Sequence, residues 1–305
     1  MRHISAISRS SLNGRRPEDS LPSGRVGACA RNTWAVRSEA LVDAAWIAAH
    51  LADTDVRVVE VDVSRAAYDQ GHIPGAIFWG GYTDLRHPDY TPINQDELDG
   101  LLSASGVTAQ TTVVFYGYAP LLAYWLLDWR GHERIRVLSG GRESWESAGH
   151  SWSTDVPELR STAYERQGNN ADLVVSHDQV RKLIDATDAV ILDVRSLEEF
   201  RGERFWPSGA TEDVGRAGHV PGAVHVSVDV LRDSDGAPTD PEKLRRLYEE
   251  QGVEPGRRVV TYCTIGNRAS QVAYVLKHDL GYPDVAIYYG SWSEWGHLPD
   301  TPVES

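Results

Sequence analysis

A chain of 305 residues is too long for one ordinary domain and suits two of about 150. Hydrophobic residues make up 41% and charged residues 24%, a balance that builds soluble cores, and no run approaches the roughly 20 apolar residues of a membrane-spanning helix. A formal net charge of −14 argues against a nucleic-acid partner, and two cysteines, Cys29 and Cys263, are too few for a disulfide framework or a four-thiolate zinc site. Such sparing use of cysteine fits a reducing compartment, so the expectation is a cytoplasmic protein. Only Lys182, Lys243 and Lys277 are lysines, and the other 27 of the 30 cations are arginines, a bias that reads as GC-rich coding.

Residues 1–35 carry Ser, Arg, Gly and Pro without apolar periodicity and read as a disordered tail or the product of a misplaced start codon. Across 1–37, seven arginines face only Glu18 and Asp19, a net charge of +5 that leaves −19 on the remainder. The stretch lacks the apolar centre of a secretory signal; an organelle transit peptide is the alternative its Arg/Ser content allows. Cys29 lies in it and reads as an incidental exposed thiol.

Beyond the tail, Leu41–Leu51 has apolar residues at helical spacing, and Val56–Asp62 (VRVVEVD) is a strand ending in acid. Gly71-His72-Ile73-Pro74-Gly75-Ala76 follows, then the strand Val113–Tyr116 and the run Gly140-Gly141-Arg142-Glu143-Ser144-Trp145. Residues 151–172 are polar and aperiodic, a linker. After it the same order returns: a helix at Gln179–Ile184, a strand ending in acid at Ala189–Asp193, and Gly218-His219-Val220-Pro221-Gly222-Ala223. Then come a helix at Pro241–Gln251 opened by Asp240, a strand at Val259–Tyr262, a helix over Ala269–Lys277, and Gly290-Ser291-Trp292-Ser293-Glu294-Trp295. The offset stays at 146–150 residues, so the chain holds two copies of one domain-sized unit rather than a solenoid. Alternating strands and helices predict, for each copy, a parallel α/β sheet covered by helices on both faces. The predicted organisation is a tail over 1–35, a first domain over 36–150, a linker over 151–172 and a second domain over 173–305.

The copies differ where the chemistry should be. After Tyr262 comes Cys263-Thr264-Ile265-Gly266-Asn267-Arg268-Ala269-Ser270; after Tyr116 comes Gly117-Tyr118-Ala119-Pro120. Gly117 stands where Cys263 stands, and the first copy lacks the thiol, the arginine and about one turn of chain. Cys263 is expected at the C-terminal end of a buried strand, on a short loop feeding a helix, the sheet edge where α/β proteins bind ligands. Loop amides converging on one point, the helix dipole and Arg268 all favour thiolate over thiol and make the sulfur a nucleophile. The same cradle suits an anionic substrate. Four residues separate the cysteine from the arginine, a tighter ring than the five-residue phosphate cradle of tyrosine and Cdc25-type phosphatases.

On these pieces (VVEVDVSRAAYDQGHIPGA, GGRESWESAGH, ILDVRSLEEF, AGHVPGA, YCTIGNRAS and GYPDVAIYYGSWSEWGHLP) residues 36–300 resemble a tandem-domain rhodanese, a sulfurtransferase. The resemblance implies two rhodanese-like domains, the first inactive. It makes Cys263 a carrier that takes a sulfane sulfur from a small anionic donor as a persulfide and passes it to a thiophilic acceptor such as cyanide. It implies that Thr264, Ile265, Gly266, Asn267 and Arg268 bind the substrate, the amides of 264–268 stabilising the persulfide and Arg268 holding the donor's sulfonate or steadying the anionic persulfide; Arg195 is a further candidate. The loop is similar to the bacterial thiosulfate group with C-R-I-G-E-R-S-S, and unlike the C-G-[ST]-G-V-T loop of mercaptopyruvate enzymes. Glu199 stands where the vertebrate enzymes have an arginine, and its carboxylate should repel pyruvate-like donors unless Arg201 or Arg204 compensates. Thiosulfate is therefore the expected donor, with 3-mercaptopyruvate and a non-catalytic binding module as alternatives. No metal, flavin or nucleotide is implied; the resemblance also admits a thioredoxin-like or sulfur-relay protein as acceptor. The shortened first-copy segment is expected to reshape the mouth between the domains.

His72 and His219, one per G-H-[IV]-P-G-A motif, read as turn residues bonded to local backbone rather than metal ligands. Asp62, Asp193 and Arg195 could line the site, but acids at strand ends more often make structural ion pairs. Trp292 and Trp295 could wall a substrate mouth, although Trp145 at the matching place in the first copy favours packing for Trp295.

Overall fold

Valine- and isoleucine-rich runs, buried on both faces, make the strands of this computed structural model, which describes residues 40–165 and 168–305. Cys29 and the proposed 1–35 tail lie outside the described residues. Strands β1 (Leu41–Val42), β2 (Val56–Asp62), β3 (Ile77–Gly80), β4 (Thr112–Gly117) and β5 (Ile135–Leu138) form one sheet in the order β1-β5-β4-β2-β3. Strands β6 (Val174–Val175), β7 (Ala189–Asp193), β8 (Val224–His225), β9 (Arg258–Tyr262) and β10 (Val285–Tyr288) form a second in the order β6-β10-β9-β7-β8. Among the described residues every pairing between these strands is parallel, which makes two α/β units of one topology.

Local chemistry sets the element ends. The helix expected over Leu41–Leu51 starts later, at Ala44, because Leu41–Val42 pair with β5 and the Asp43 carboxylate caps the Trp46 N–H at 2.7 Å. Asp240 caps the helix Pro241–Glu250 through the N–H groups of Glu242 and Lys243. The polar segment after residue 150 runs bound along the first unit: Ser153 exchanges two backbone hydrogen bonds with His72, and the Thr162 N–H reaches the Ser103 carbonyl at 2.9 Å. Glu304 makes the same exchange with His219 in the second unit.

Register refines the internal alignment. Tyr116 lies opposite Glu60, and Tyr262 opposite Asp193, so the acid equivalent to Asp193 is Glu60 and not the strand-terminal Asp62. Glu60 is buried and bound at 2.6 Å by Arg142; Asp193 is bound at 2.6 Å by Arg195, two residues along. Each arginine also holds the carbonyl of the glycine opening its G-H-[IV]-P-G-A motif, Gly71 or Gly218. A buried carboxylate is thus paired with an arginine in both units, the cation being half-buried Arg142 in the first and fully buried Arg195 in the second.

The two units meet along the helices that leave β4 and β9, Pro120–Trp129 and Asn267–Tyr274. Tyr124 and Tyr274 meet edge to face at 5.4 Å, and Leu122 sits against the Cα of Gly266 so closely that an added Cβ would meet it at 3.1 Å. Asn267–Tyr274 continues as a π turn through Val275–Asp279, whereas the first-unit helix stops at Trp129. Most of the turn missing from the first copy is therefore at the far end of its helix, not at the mouth between the units.

Candidate active site

Cys263 follows the last residue of β9, the C-terminal sheet edge anticipated for it. Its side chain is almost wholly buried, yet it forms part of the wall of a 550 Å³ cavity between the two units. Gly266, at φ 93°, lets the loop double back, and its N–H donates to Cys263 Sγ at 3.1 Å. The N–H of Cys263 donates to Ser291 Oγ at 3.3 Å, and the Ser291 hydroxyl donates to the Tyr288 carbonyl at 2.9 Å. Ser291 holds a left-handed backbone, φ 55°, at the place where the first unit uses Gly141 at φ 56°. A non-glycine residue in that region is strained, and here its hydroxyl orients the cysteine's amide. The carbonyls of Cys263 and Thr264 accept from Trp292 and Ser293 N–H, both at 2.9 Å, so the loop is pinned to the segment after β10.

Arg268 lines the cavity but is not an open cation. It grips Glu199 with two bonds, 2.7 and 2.8 Å, and donates to Thr264 Oγ1 at 2.6 Å, while that hydroxyl donates to Glu199 at 2.8 Å. Burial alone would raise the Glu199 carboxyl; the hydrogen bonds and charge of Arg268 and the Thr264 hydroxyl outweigh it and hold the group at about 2. Burial alone would lower Arg268, but the same carboxylate and the neighbouring Cys263 push it above the ordinary arginine range. Compensation of Glu199 thus comes from Arg268 itself, while Arg204 bonds Ser196 and Glu198 instead.

The remaining expected site residues separate cleanly. Thr264, Ile265, Asn267 and Arg268 line the cavity with Cys263, and Gly266 contributes its amide. Arg195 does not line it: fully buried, it pairs with Asp193, holds the Gly218 carbonyl at 2.7 Å and lies 4.5 Å over Trp292. A substrate contact by Arg195 is therefore set aside in favour of the structural ion pair. Trp292 and Trp295 are fully buried away from the cavity, and the indoles of Trp145 and Trp295 both donate to carbonyls just beyond their helices, Ser151 and Pro302. His72 bonds the carbonyls of Tyr68 and Asp155, and His219 that of Phe200. Among the described residues no group of three or more His, Cys, Asp or Glu is arranged to hold a metal ion, and no helix is long and apolar enough to cross a membrane.

Of the opposite wall, only Tyr118 belongs to a segment the sequence placed at the mouth between the domains. That wall comes from the first unit, chiefly Tyr82, His87, Tyr90 and Tyr118, with Trp206 added from the second. Burial pushes the Tyr82 phenol up to about 12, so it faces the cavity as a neutral O–H donor. Asn267 reaches across to the Tyr118 carbonyl at 3.2 Å. For the others, aromatic residues in loops outside any periodic segment were the only trace available, and spacing alone does not bring them to Cys263.

A rhodanese-like domain model matches residues 43–148 and 176–298. A Haloferax volcanii protein, named provisionally a thiosulfate sulfurtransferase, is 35% identical over 87% of this chain and 96% of its own length. The sulfur carrier protein TtuD of Thermus thermophilus is 37% identical over the same shares of the two chains. Among solved structures, the anaerobic ergothioneine biosynthesis enzyme of Chlorobium limicola, in complex with its natural substrate trimethyl histidine, is similar with a TM-score of 0.75 and 27% identity, over 87% of this chain and 70% of that one.

Proposed function

The chain belongs to the rhodanese family through both of its domains, and on that premise we propose that it moves a sulfane sulfur from thiosulfate to a thiophilic acceptor through a persulfide on Cys263. The observation that carries this reading is the Gly266 N–H directed at Cys263 Sγ, 3.1 Å away, on the wall of the cavity. The Cys263 thiolate attacks the outer sulfur of thiosulfate; the new bond joins Sγ to that sulfur, and sulfite leaves with the electron pair of the broken S–S bond. Cyanide or an acceptor thiolate then attacks the same outer sulfur and releases the Cys263 thiolate, so no net oxidant is consumed. The Gly266 amide, and the first turn of the helix behind it, stabilise the sulfur anion in both resting states. Arg268 offers charge to the donor's sulfonate, tempered by Glu199.

Thiosulfate is favoured over 3-mercaptopyruvate by the loop Cys263-Thr264-Ile265-Gly266-Asn267-Arg268, which resembles that of the bacterial thiosulfate group, and by the Haloferax volcanii relative whose name carries that donor. A protein thiol is a fitting acceptor, since the cavity is far larger than cyanide and a relative is named a sulfur carrier. A working thiol that must stay reduced suits the cytoplasm. We assign the catalytic role to the second domain, after the linker 151–172, and a non-catalytic one to the domain before it. The test is intact-mass spectrometry of reduced protein after brief exposure to thiosulfate or, separately, 3-mercaptopyruvate. A gain of one sulfur atom, absent in Cys263→Ala and released by cyanide, is expected, faster from thiosulfate. No sulfur uptake from either donor, with a Cys263 that still alkylates, would leave a binding module instead.

A further inference from the structure

We propose that Arg86, in the domain without a cysteine, is a positioning residue: it fixes the Ile265–Gly266 peptide so that the Gly266 N–H faces Cys263 Sγ. This rests on the reading of Cys263 as the sulfur carrier.

Arg86 is buried, with 3% of its surface exposed, and its partners are main-chain carbonyls. One is local, Tyr90 at 2.8 Å. Three are in the second domain: Ile265 at 2.9 Å, Gly290 at 3.2 Å, and Tyr289. Its guanidinium also lies 4.9 Å from the centre of the Tyr289 ring. The internal repeat separates the local from the long-range role. Arg232 is the matching residue of the second copy; it too donates to the carbonyl four residues on, Gly236 at 2.8 Å, and both arginines sit on equivalent bridges, to Pro92 and Pro238. Bracing its own turn therefore accounts for one bond of Arg86, and the bonds to the cysteine loop are additional.

Those additional bonds act on one peptide plane. In a trans peptide the C=O and the following N–H point in opposite directions. With the Ile265 carbonyl drawn towards Arg86, the Gly266 N–H must point the other way, where Sγ lies at 3.1 Å. Glycine at 266, φ 93°, would tolerate the flipped plane as well, so the chain itself does not choose between the two orientations. Arg86 chooses. Through Tyr289 and Gly290 it also steadies the turn whose Ser291 hydroxyl receives the Cys263 N–H.

The test uses the full chain carrying Arg86→Gln, Arg86→Lys, Gly266→Ala or, as the control on local bracing, Arg232→Gln. Two quantities are read: the iodoacetamide alkylation rate of Cys263 at fixed pH, followed by peptide mass so that Cys29 is counted apart, and kcat against KM for thiosulfate. Losing a donor to a sulfur anion should slow alkylation and kcat about tenfold in Arg86→Gln while KM moves far less. Arg86→Lys should recover part of the loss. Gly266→Ala, which disfavours the left-handed φ, should reproduce it with Arg86 in place, and Arg232→Gln should change neither quantity. Wild-type alkylation in Arg86→Gln, whatever its melting temperature, overturns the proposal; if that variant does not fold, wild-type alkylation in Gly266→Ala overturns it. Alkylation needs no sulfur donor, so a wild-type protein that takes up no sulfur would count against the sulfurtransferase reading and not against this one.

Discussion

Replacing Glu199 with glutamine should make the enzyme bind thiosulfate more tightly and stand acid differently. In the native site the carboxylate meets Arg268 at 2.7 and 2.8 Å and cancels much of the charge that a donor in the cavity would meet. Glutamine keeps the shape and a hydrogen bond to Thr264 but removes that charge. Two unit charges at roughly 4 Å interact by about 4 kcal/mol at the effective dielectric of a partly buried site. Desolvation of the dianion consumes a good part of this, so a net gain of about 1.4 kcal/mol, tenfold in KM for thiosulfate, is the expected scale. Stability moves the other way, because stripping one partner from a buried pair costs about 3–5 kcal/mol. Thiosulfate or sulfate should restore much of that loss by binding the freed arginine.

Acid titration separates the two effects. The Glu199 carboxyl is held at about 2 against an ordinary 4.5, a depressed value, so its contribution is complete above 4.5 and disappears as pH falls from there towards 2. The shift corresponds to about 3 kcal/mol, and the stability gap between wild type and Glu199→Gln should close by about that amount across the window. The assays are steady-state KM for thiosulfate with cyanide as acceptor, and thermal melts from pH 7 to pH 2 with and without sulfate. A folded variant with unchanged or raised KM would show that Arg268 is not a donor contact, and a gap that does not narrow in acid would show that the pair is not the source of the stability difference.

Gly117→Cys should not create a second sulfur site: at φ 101° any side chain is strained, and a Cβ there would meet the Val61 carbonyl at 2.8 Å. The expected result is a loss of about 2 kcal/mol in a denaturant melt and no extra sulfur by mass after thiosulfate. Ser291→Gly relieves the φ 55° backbone while deleting the hydroxyl that receives the Cys263 N–H, so melting temperature should hold or rise as persulfide loading slows several-fold. Loading at the wild-type rate in Ser291→Gly would mean that the strained serine serves only packing.

What could be read from the chain alone was whatever a local pattern encodes. The strands Val56–Asp62 and Ala189–Asp193 have the bounds their apolar runs suggested, and Cys263 leaves its strand into a short glycine-bearing loop, as the spacing implied. The equivalence of Asp193 with Glu60 was hidden because strand register, not the end of an apolar run, decides which acid faces which tyrosine. Contacts between segments far apart in the chain, across the domain boundary or within one domain, were hidden for a deeper reason. Arg86 and Ile265 are 179 residues apart, and Glu199 and Arg268 are 69 apart, with no periodicity linking either pair. The domain without a cysteine supplies Tyr82, Tyr90 and Tyr118 to the cavity wall and, with Trp206 of the second domain, completes the cleft beside Cys263. A domain with no nucleophile of its own can still brace the other's loop, because a guanidinium binding carbonyls needs no sulfur chemistry.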